Sequence, residues 1–271
     1  MKRIDLASSS LEPDSLREIQ ALELRAEQVE TEQLEHALAL LKAAPGLRSL
    51  RLCSRTRALP TALTELVGLQ RLEIVDPELP GLPASIDRLT RLRELRLELF
   101  HLASLPRSIA GLQRLRALSI DSHHLCGLPA GLRSLQELRS LTLLLRRVIV
   151  PDWQRPAHFR ARFEQDLGEL FELLAGLPKL SSLTLGEPPA DAWFPERTFD
   201  RLPDAFAELR GLEQLSFVNY PDPIEFPPGL VMPSVRHIDA GWSQFAATAA
   251  ELQAMFPGAR FSRMYRGIDD C

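Results

Sequence analysis

LQRLEIVDPELPGLPASIDRLTRLRELRLELFHLASLPRSIAGLQRLRALSI, residues 69–120, is one pattern written twice over. The phrase L-x-x-L-x-L stands at Leu69/Leu72/Ile74, at Leu92/Leu95/Leu97 and at Leu115/Leu118/Ile120. Between these copies lie LPASIDRL from Leu82 and LPRSIAGL from Leu105. In the first phrase alternate side chains point to one face, as in a strand. In the second, apolar residues recur every third position, which suits a short 3₁₀ or helical turn. One such unit cannot bury its own leucines, whereas stacked units bury them between strand and return segment.

Working outward, the strand phrase recurs at Ile19/Leu22/Leu24, Leu47/Leu50/Leu52, Leu138/Leu141/Leu143, Leu180/Leu183/Leu185 and Leu212/Leu215/Phe217. A degenerate copy is Val235/Ile238/Ala240. Successive middle residues are separated by 28, 22, 23, 23, 23, 42, 32 and 23 positions. The return phrase recurs as LPTALTEL from Leu59, LPAGLRSL from Leu128 and, degraded, LPDAFAEL from Leu202. These copies account for most of the 52 leucines among 271 residues, so leucine abundance reports architecture rather than activity.

The two phrases together resemble the leucine-rich repeat family in its 23-residue L-P-x-x-I-x-x-L form, over nearly the whole chain. The resemblance implies an α/β solenoid, with a curved parallel β-sheet, helical or 3₁₀ return segments and helical caps. It also implies a single domain over 1–271. Within it, 1–46 form an N-terminal cap and first long repeat and 47–143 the regular repeats. Residues 144–210 hold two repeats with insertions, and 211–271 the last repeats and a C-terminal cap. The family pattern places Asn three residues after the last strand leucine. Here those places hold Pro77, Phe100, His123, Arg146, Pro188 and Tyr220. Without the asparagine ladder, the turn backbones need other partners.

The caps follow from local pattern. Ile4 and Leu6 read as a first strand. Residues 31–44 read as a helix with Leu34, Leu38 and Leu41 on one face, Thr31 as its N-cap and Pro45-Gly46 beyond its end. Residues 246–256 read as a helix, followed by a last strand near 259–263 and an exposed tail, MYRGIDDC.

Two insertions interrupt the period. The 42-residue step holds an amphipathic helix over 158–175, with Phe159, Phe163, Leu167, Leu170, Phe171 and Leu174 on one stripe. Its approach carries Trp153, Arg155, Arg160 and Arg162. The 32-residue step holds EPPADAWFPERTFDR, with Trp193 and Phe194 adjacent. Such segments are either recognition loops, since loops and aromatics with Arg favour binding, or packing elements folded back on the scaffold.

The outward position between the two strand leucines runs Glu23, Arg51, Glu73, Arg96, Ser119, Thr142, Thr184, Ser216, Asp239. Its first half alternates in charge and reads as a self-neutralising, solvated face. In its second half Ser119, Thr142, Thr184 and Ser216 are small and uncharged, with Ser140 and Ser182 beside them, and leave room for a partner. The candidate partner-binding residues are therefore Ser119, Thr142, Leu144, Trp153, Thr184, Trp193, Phe194, Ser216, Val218, Tyr220 and Trp242.

Chemistry finds little support. His101, His123, His124 and Cys126 invite a metal reading, but no ligand set at a recognised spacing accompanies them. Inter-repeat packing of His101 with His124 is the expected role. No nucleophile-elbow, zincin, phosphate-loop or dinucleotide motif is present, and Cys271 has no base close in sequence. No catalytic residue, metal or cofactor is expected; the enzyme alternative is a metal- or Cys-dependent activity at His101, His124 and Cys126 or at Cys271. Cys53, Cys126 and Cys271 lie too far apart to suggest a disulfide framework. A net charge of −4 argues against general nucleic-acid or anionic-membrane binding. No signal-peptide or membrane-spanning run is visible, so a cytoplasmic monomer is expected. Of the 32 basic residues only Lys2, Lys42 and Lys179 are lysines, a bacterial-looking bias. The resemblance implies a non-catalytic scaffold for a protein or peptide. It extends to the repeat domains of secreted bacterial effectors, with toxin-immunity or regulatory roles as alternatives on the same scaffold.

Overall fold

The structure is a computed structural model. It describes residues 1–8, 16, 18–123, 125, 127–145, 168–186, 201–218, 223–241 and 243–263. The chain divides into two compact units, Met1–Leu138 and Arg139–Cys271.

In the first unit the cap segment around Ile4 and every complete copy of the strand phrase form strands. They are β1 (Lys2–Asp5), β2 (Ala21–Ala26), β3 (Ser49–Ser54), β4 (Arg71–Val75), β5 (Glu94–Glu98) and β6 (Ala117–Ser122). All neighbours pair in parallel and in chain order. The register is the sequence period itself: Leu22, Leu50, Leu72, Leu95 and Leu118 lie side by side. Every one of these leucines is buried, as are Leu24, Leu52, Ile74, Leu97 and Ile120 two residues on.

Each return phrase turns in the same way. Thr61–Glu65, Ile86–Arg88, Arg107–Gly111 and Ala130–Ser134 are 3₁₀ segments. Proline opens each turn and lends its carbonyl: Leu63, Ile86, Ile109 and Leu132 donate their N–H groups to Pro60, Pro83, Pro106 and Pro129, at 3.2, 3.1, 3.0 and 2.9 Å. The ring fixes φ and removes an amide that the turn would leave unpaired. The four donors are also the inward apolar residues of the return side, each fully buried.

The first long repeat uses a true helix, Thr31–Leu41, whose Leu34, Leu38 and Leu41 are buried. Two details differ from the sequence reading. The N-cap is Glu30, with no side-chain cap, and Thr31 is already inside the helix. The helix also stops at Leu41 rather than near Ala44, and Lys42 satisfies its end through backbone bonds. Lys42 then pairs with Glu65 of the next return segment.

The absent asparagines are replaced one position earlier in the repeat. Two residues past the last strand leucine, Ser54, Asp76 and Ser122 are buried. Asp76, fully enclosed, accepts five hydrogen bonds. Its Oδ2 takes the Ser54 hydroxyl (2.8 Å) and the Thr56 amide and hydroxyl (2.8 and 3.2 Å). Its Oδ1 takes the Glu78 and Leu79 amides (2.9 and 3.0 Å). One carboxyl thus serves two successive turns. Ser122 closes a similar link, donating to the Leu102 carbonyl at 2.9 Å.

The second unit continues the motif with different filling. Its strands are β7 (Ser140–Leu145), β8 (Ser182–Gly186), β9 (Gln214–Val218), β10 (His237–Asp239) and β11 (Arg260–Ser262). They are parallel and in chain order, with Leu141, Leu183, Leu215 and Ile238 in register. The irregular steps therefore leave the strand pairing intact, because the extra residues are looped out between strands. Of the inserted amphipathic helix, residues 168–175 are described and helical, with Phe171, Leu173 and Leu174 buried. The 3₁₀ turn Asp204–Glu208 repeats the proline geometry, Phe206 donating to Pro203 at 2.9 Å.

The core here is aromatic. Phe206 meets Phe171 edge-on, with centroids 5.6 Å apart. Phe217 meets Phe245 at 5.6 Å, and Phe226 lies 5.2 Å from Phe256 and 5.5 Å from Phe245. Phenylalanine takes places that leucine or isoleucine fills in the first unit: Phe217 on the strand and Phe206 in the return turn, both fully buried. Two glycines fit beside this cluster for want of room. A Cβ on Gly186 would come within 2.8 Å of the Val218 Cβ. Gly241 has φ +54°, and its Cβ would overlap the Phe217 carbonyl.

The terminal helix is Ala249–Met255, shorter at its start than the 246–256 reading. The reason is Thr248, which forms a full capping box with Glu251 and so sets the first turn.

Candidate functional site

The outward rows of the first unit are filled by their own charges. In register they run Arg3, Glu23, Arg51, Glu73, Arg96 and then Ser119. Arg3 and Arg25 both reach Glu23, at 3.1 and 3.0 Å. Arg51 and Arg96 both reach Glu73 at 3.5 Å, and Arg96 also reaches Glu98 at 2.6 Å. The pairing agrees with the alternation in the sequence, but the face is not evenly solvated. The Glu23 side chain is only 4% exposed, against 66% for Arg3 and 45% for Arg25. The acid is sunk and the longer arginines cover it.

The Arg25 hydrogen bond, backed by Arg3, holds the Glu23 carboxyl below the usual carboxylate range against the opposing pull of burial. Its folded value lies below its unfolded value of about 4.3, so its stabilisation is complete above that pH. It is lost as pH falls through the folded value. Glu23→Gln should therefore flatten the decline of the urea midpoint between about pH 5 and about pH 3. An acid limb as steep as the parent's would show that Glu23 contributes nothing to it.

The rows of the second unit carry little charge. Thr142, Thr184 and Ser216 stand side by side, as do Ser140, Ser182 and Gln214. Leu144 and Val218 flank Gly186 in a third row. The five predicted residues on these strands, Thr142, Leu144, Thr184, Ser216 and Val218, are all half-buried. Ser119 belongs instead to the first unit, beside Arg96. Trp153, Trp193, Phe194, Tyr220 and Trp242 lie outside the described residues, as do His124 and Cys126, so the expected His101–His124 stack is not described. His101 instead meets Phe100 edge-on at 4.9 Å, and Phe100 stacks on His123 at 3.8 Å.

Charge returns at the last two strands. The Asp239 carboxyl accepts from Arg263 Nε at 2.7 Å and from the Gly241 amide at 3.1 Å. Arg263 is the main reason that this carboxyl titrates below its usual range. His237 pairs with Ser262 at 3.2 Å. The three polar types invite a triad reading, but Asp239 spends its oxygens on Arg263 and Gly241. Among the described residues no group of three or more His, Cys, Asp or Glu side chains gathers as a metal site, and no helix is long and apolar enough to cross a membrane.

Sequence reasoning did not foresee two hollows. One, of about 530 Å³, lies among Asp204, Glu208, Arg210, Pro227 and the exposed Val231. The other, of about 490 Å³, lies beside Phe100 in the first unit. Both are made by turns from separate repeats, and no linear motif records such a meeting.

These repeats give the chain a leucine-rich repeat fold, and solved structures agree. The leucine-rich repeat domain of the type III effector XopL is similar at 20% identity and TM-score 0.56, over 89% of this chain and 75% of that one. The plant peptide hormone receptor RGFR1, solved in complex with RGF2, is similar at 16% identity and TM-score 0.51. That match covers 97% of this chain and 37% of the receptor chain. A leucine-rich repeat protein of Leptospira interrogans aligns over 91% of this chain and 72% of its own, at 17% identity and TM-score 0.42. No protein-family model and no curated protein sequence matches the chain.

Proposed function

We propose that this protein is a non-catalytic scaffold that binds a protein or peptide through the outward strand face of its second unit and the segments inserted there. The observation that carries this reading is the contrast between the two sets of rows. Charges in the first unit are occupied with one another, whereas Thr142, Thr184 and Ser216 offer an uncrowded, uncharged strip. Small hydroxyl side chains let a partner backbone approach, and Leu144 and Val218 beside them supply apolar area. A solved complex of the same fold with a peptide hormone supports the choice of partner class. Trp153, Trp193, Phe194, Tyr220 and Trp242, which lie outside the described residues, are the aromatic anchor candidates that the sequence adds.

Affinity capture from the source cell tests the reading. Thr184→Arg places a long cation in the middle of the strip and should abolish capture of the partner. Trp193→Ala, Phe194→Ala and Trp242→Ala should each weaken it. Undiminished capture by all four folded variants would count against the site.

A narrower role is that of a secreted bacterial effector, supported by the fold likeness to the XopL repeat domain. A reporter fusion that enters host cells only when the secretion apparatus is intact would support it. A fusion that stays within the bacterium would favour the immunity or regulatory alternative.

A further inference from the structure

The loops after β3, β4 and β5 line an open, shallow hollow of about 490 Å³, formed by Arg55, Arg57, Pro77, Glu78, Phe100 and His101. All six belong to the first unit, and none belongs to the rows assigned above. Two properties of the lining point to a ligand.

The first is an exposed ring. Phe100 is 41% exposed, one of few large apolar side chains so placed among the described residues. It stands where the repeat family has its asparagine. His123 covers it at 3.8 Å with the planes 31° apart, and His101 meets it edge-on. A ring held on two sides presents a fixed flat surface rather than a mobile one.

The second is charge. Arg55 is answered by Glu78, its Nε donating to Oε1 at 2.8 Å. Arg57, exposed, makes no ion pair among the described residues. Among the lining residues two guanidinium groups face one carboxylate, and the Asp76 carboxyl beneath them is buried and spent on five hydrogen bonds, which leaves the exposed Arg57 without a lining partner. The walls are also fixed from beneath. Asp76 binds the Thr56 amide, between the two arginines, and the Glu78 and Leu79 amides of the facing turn. A preformed site loses less on binding than one that must be ordered.

We propose that this hollow is a second docking site, taking a short acidic segment of a protein partner in which an aromatic residue adjoins Asp or Glu. The carboxylate pairs with Arg57, and the aromatic ring packs against Phe100 and His101. Charge complementarity selects the acid and the exposed ring selects its neighbour.

The test titrates the full ¹⁵N-labelled chain with three probes: the blocked peptides Gly-Asp-Trp-Glu-Gly and Gly-Lys-Trp-Lys-Gly, and a thymidine decanucleotide. The acidic peptide should give saturable amide shifts centred on residues 55–57, 78 and 100–101. Its Kd should rise roughly tenfold in Arg57→Glu and in Phe100→Ala, and several-fold with added salt. The basic peptide should give no shifts there. Arg57 is exposed, so Arg57→Glu keeps the test valid if Phe100→Ala disturbs the loop. An unchanged Kd in Arg57→Glu would overturn the proposal, as would equal binding of the basic peptide. So would shifts centred elsewhere, binding of the oligonucleotide alone, or no saturation by about 5 mM peptide.

Discussion

Asp76→Ala should remove about 3–5 kcal/mol of stability, far more than the loss of so small a side chain suggests. The carboxyl is fully buried and accepts from Ser54, from Thr56 twice, and from the Glu78 and Leu79 amides. Alanine leaves those donors without an acceptor in an enclosed space. Each buried, unpaired amide costs about 1–3 kcal/mol, and the hydroxyls recover part of theirs by rotating. Asp76→Asn separates hydrogen bonding from volume. The amide is nearly isosteric, but its nitrogen must face either the Thr56 side or the Glu78–Leu79 side, and both present donors. It should lose at least about 2 kcal/mol. Urea unfolding followed by far-UV circular dichroism measures both variants. An Ala variant within about 1 kcal/mol of the parent would show that water replaces the carboxyl and that Asp76 is no hub.

Phe217→Ala should cost about 3–5 kcal/mol in the second unit. Phe217 is fully buried and meets Phe245 at 5.6 Å and Phe226 at 6.2 Å, both nearly edge-on. Its loss removes a large apolar volume and the contacts with these rings, and Phe226 is itself tied to Phe206 and Phe256. Collapse into the gap is therefore restricted, which puts the cost towards the upper end of the range for large-to-small changes. The backbone around Phe217 is equally constrained, since Gly241 packs on its carbonyl. Urea unfolding followed by far-UV circular dichroism measures the loss. A cost below about 1.5 kcal/mol would mean that the aromatic cluster repacks freely.

The two variants probe different substitutes for the regular repeat. In the first unit a buried carboxyl stands in for an absent asparagine ladder. In the second, phenylalanines stand in for leucines and pack against one another as the core.

Strand register was legible because period and pairing are the same fact. A repeat of fixed length stacks Leu50 on Leu72 and Leu72 on Leu95 with no freedom left over. The return turns were legible for a related reason, since L-P-x-x-I-x-x-L fixes both the proline that opens the turn and the residue that fills it. The replacement at Asp76 was not legible. Its neighbours in the sequence, Val75 and Pro77, give no hint that it reaches back 20 residues to Thr56. Thr31 failed as a cap because the chain enters the helix one residue earlier than its type suggested.

By itself, then, the sequence determined the repeat, the inward residues and the alternation of charge along the first strands. Those features follow from local periodicity, and stacking copies it faithfully from one unit to the next. Only the tertiary structure decided that Glu23 is sunk beneath two arginines, that Asp76 joins two turns, and that Arg57 and Phe100 share one hollow. Each depends on distances between residues of different repeats. A one-dimensional pattern fixes which residues share a row, but the depth of a side chain and its nearest partner are set only when the rows pack.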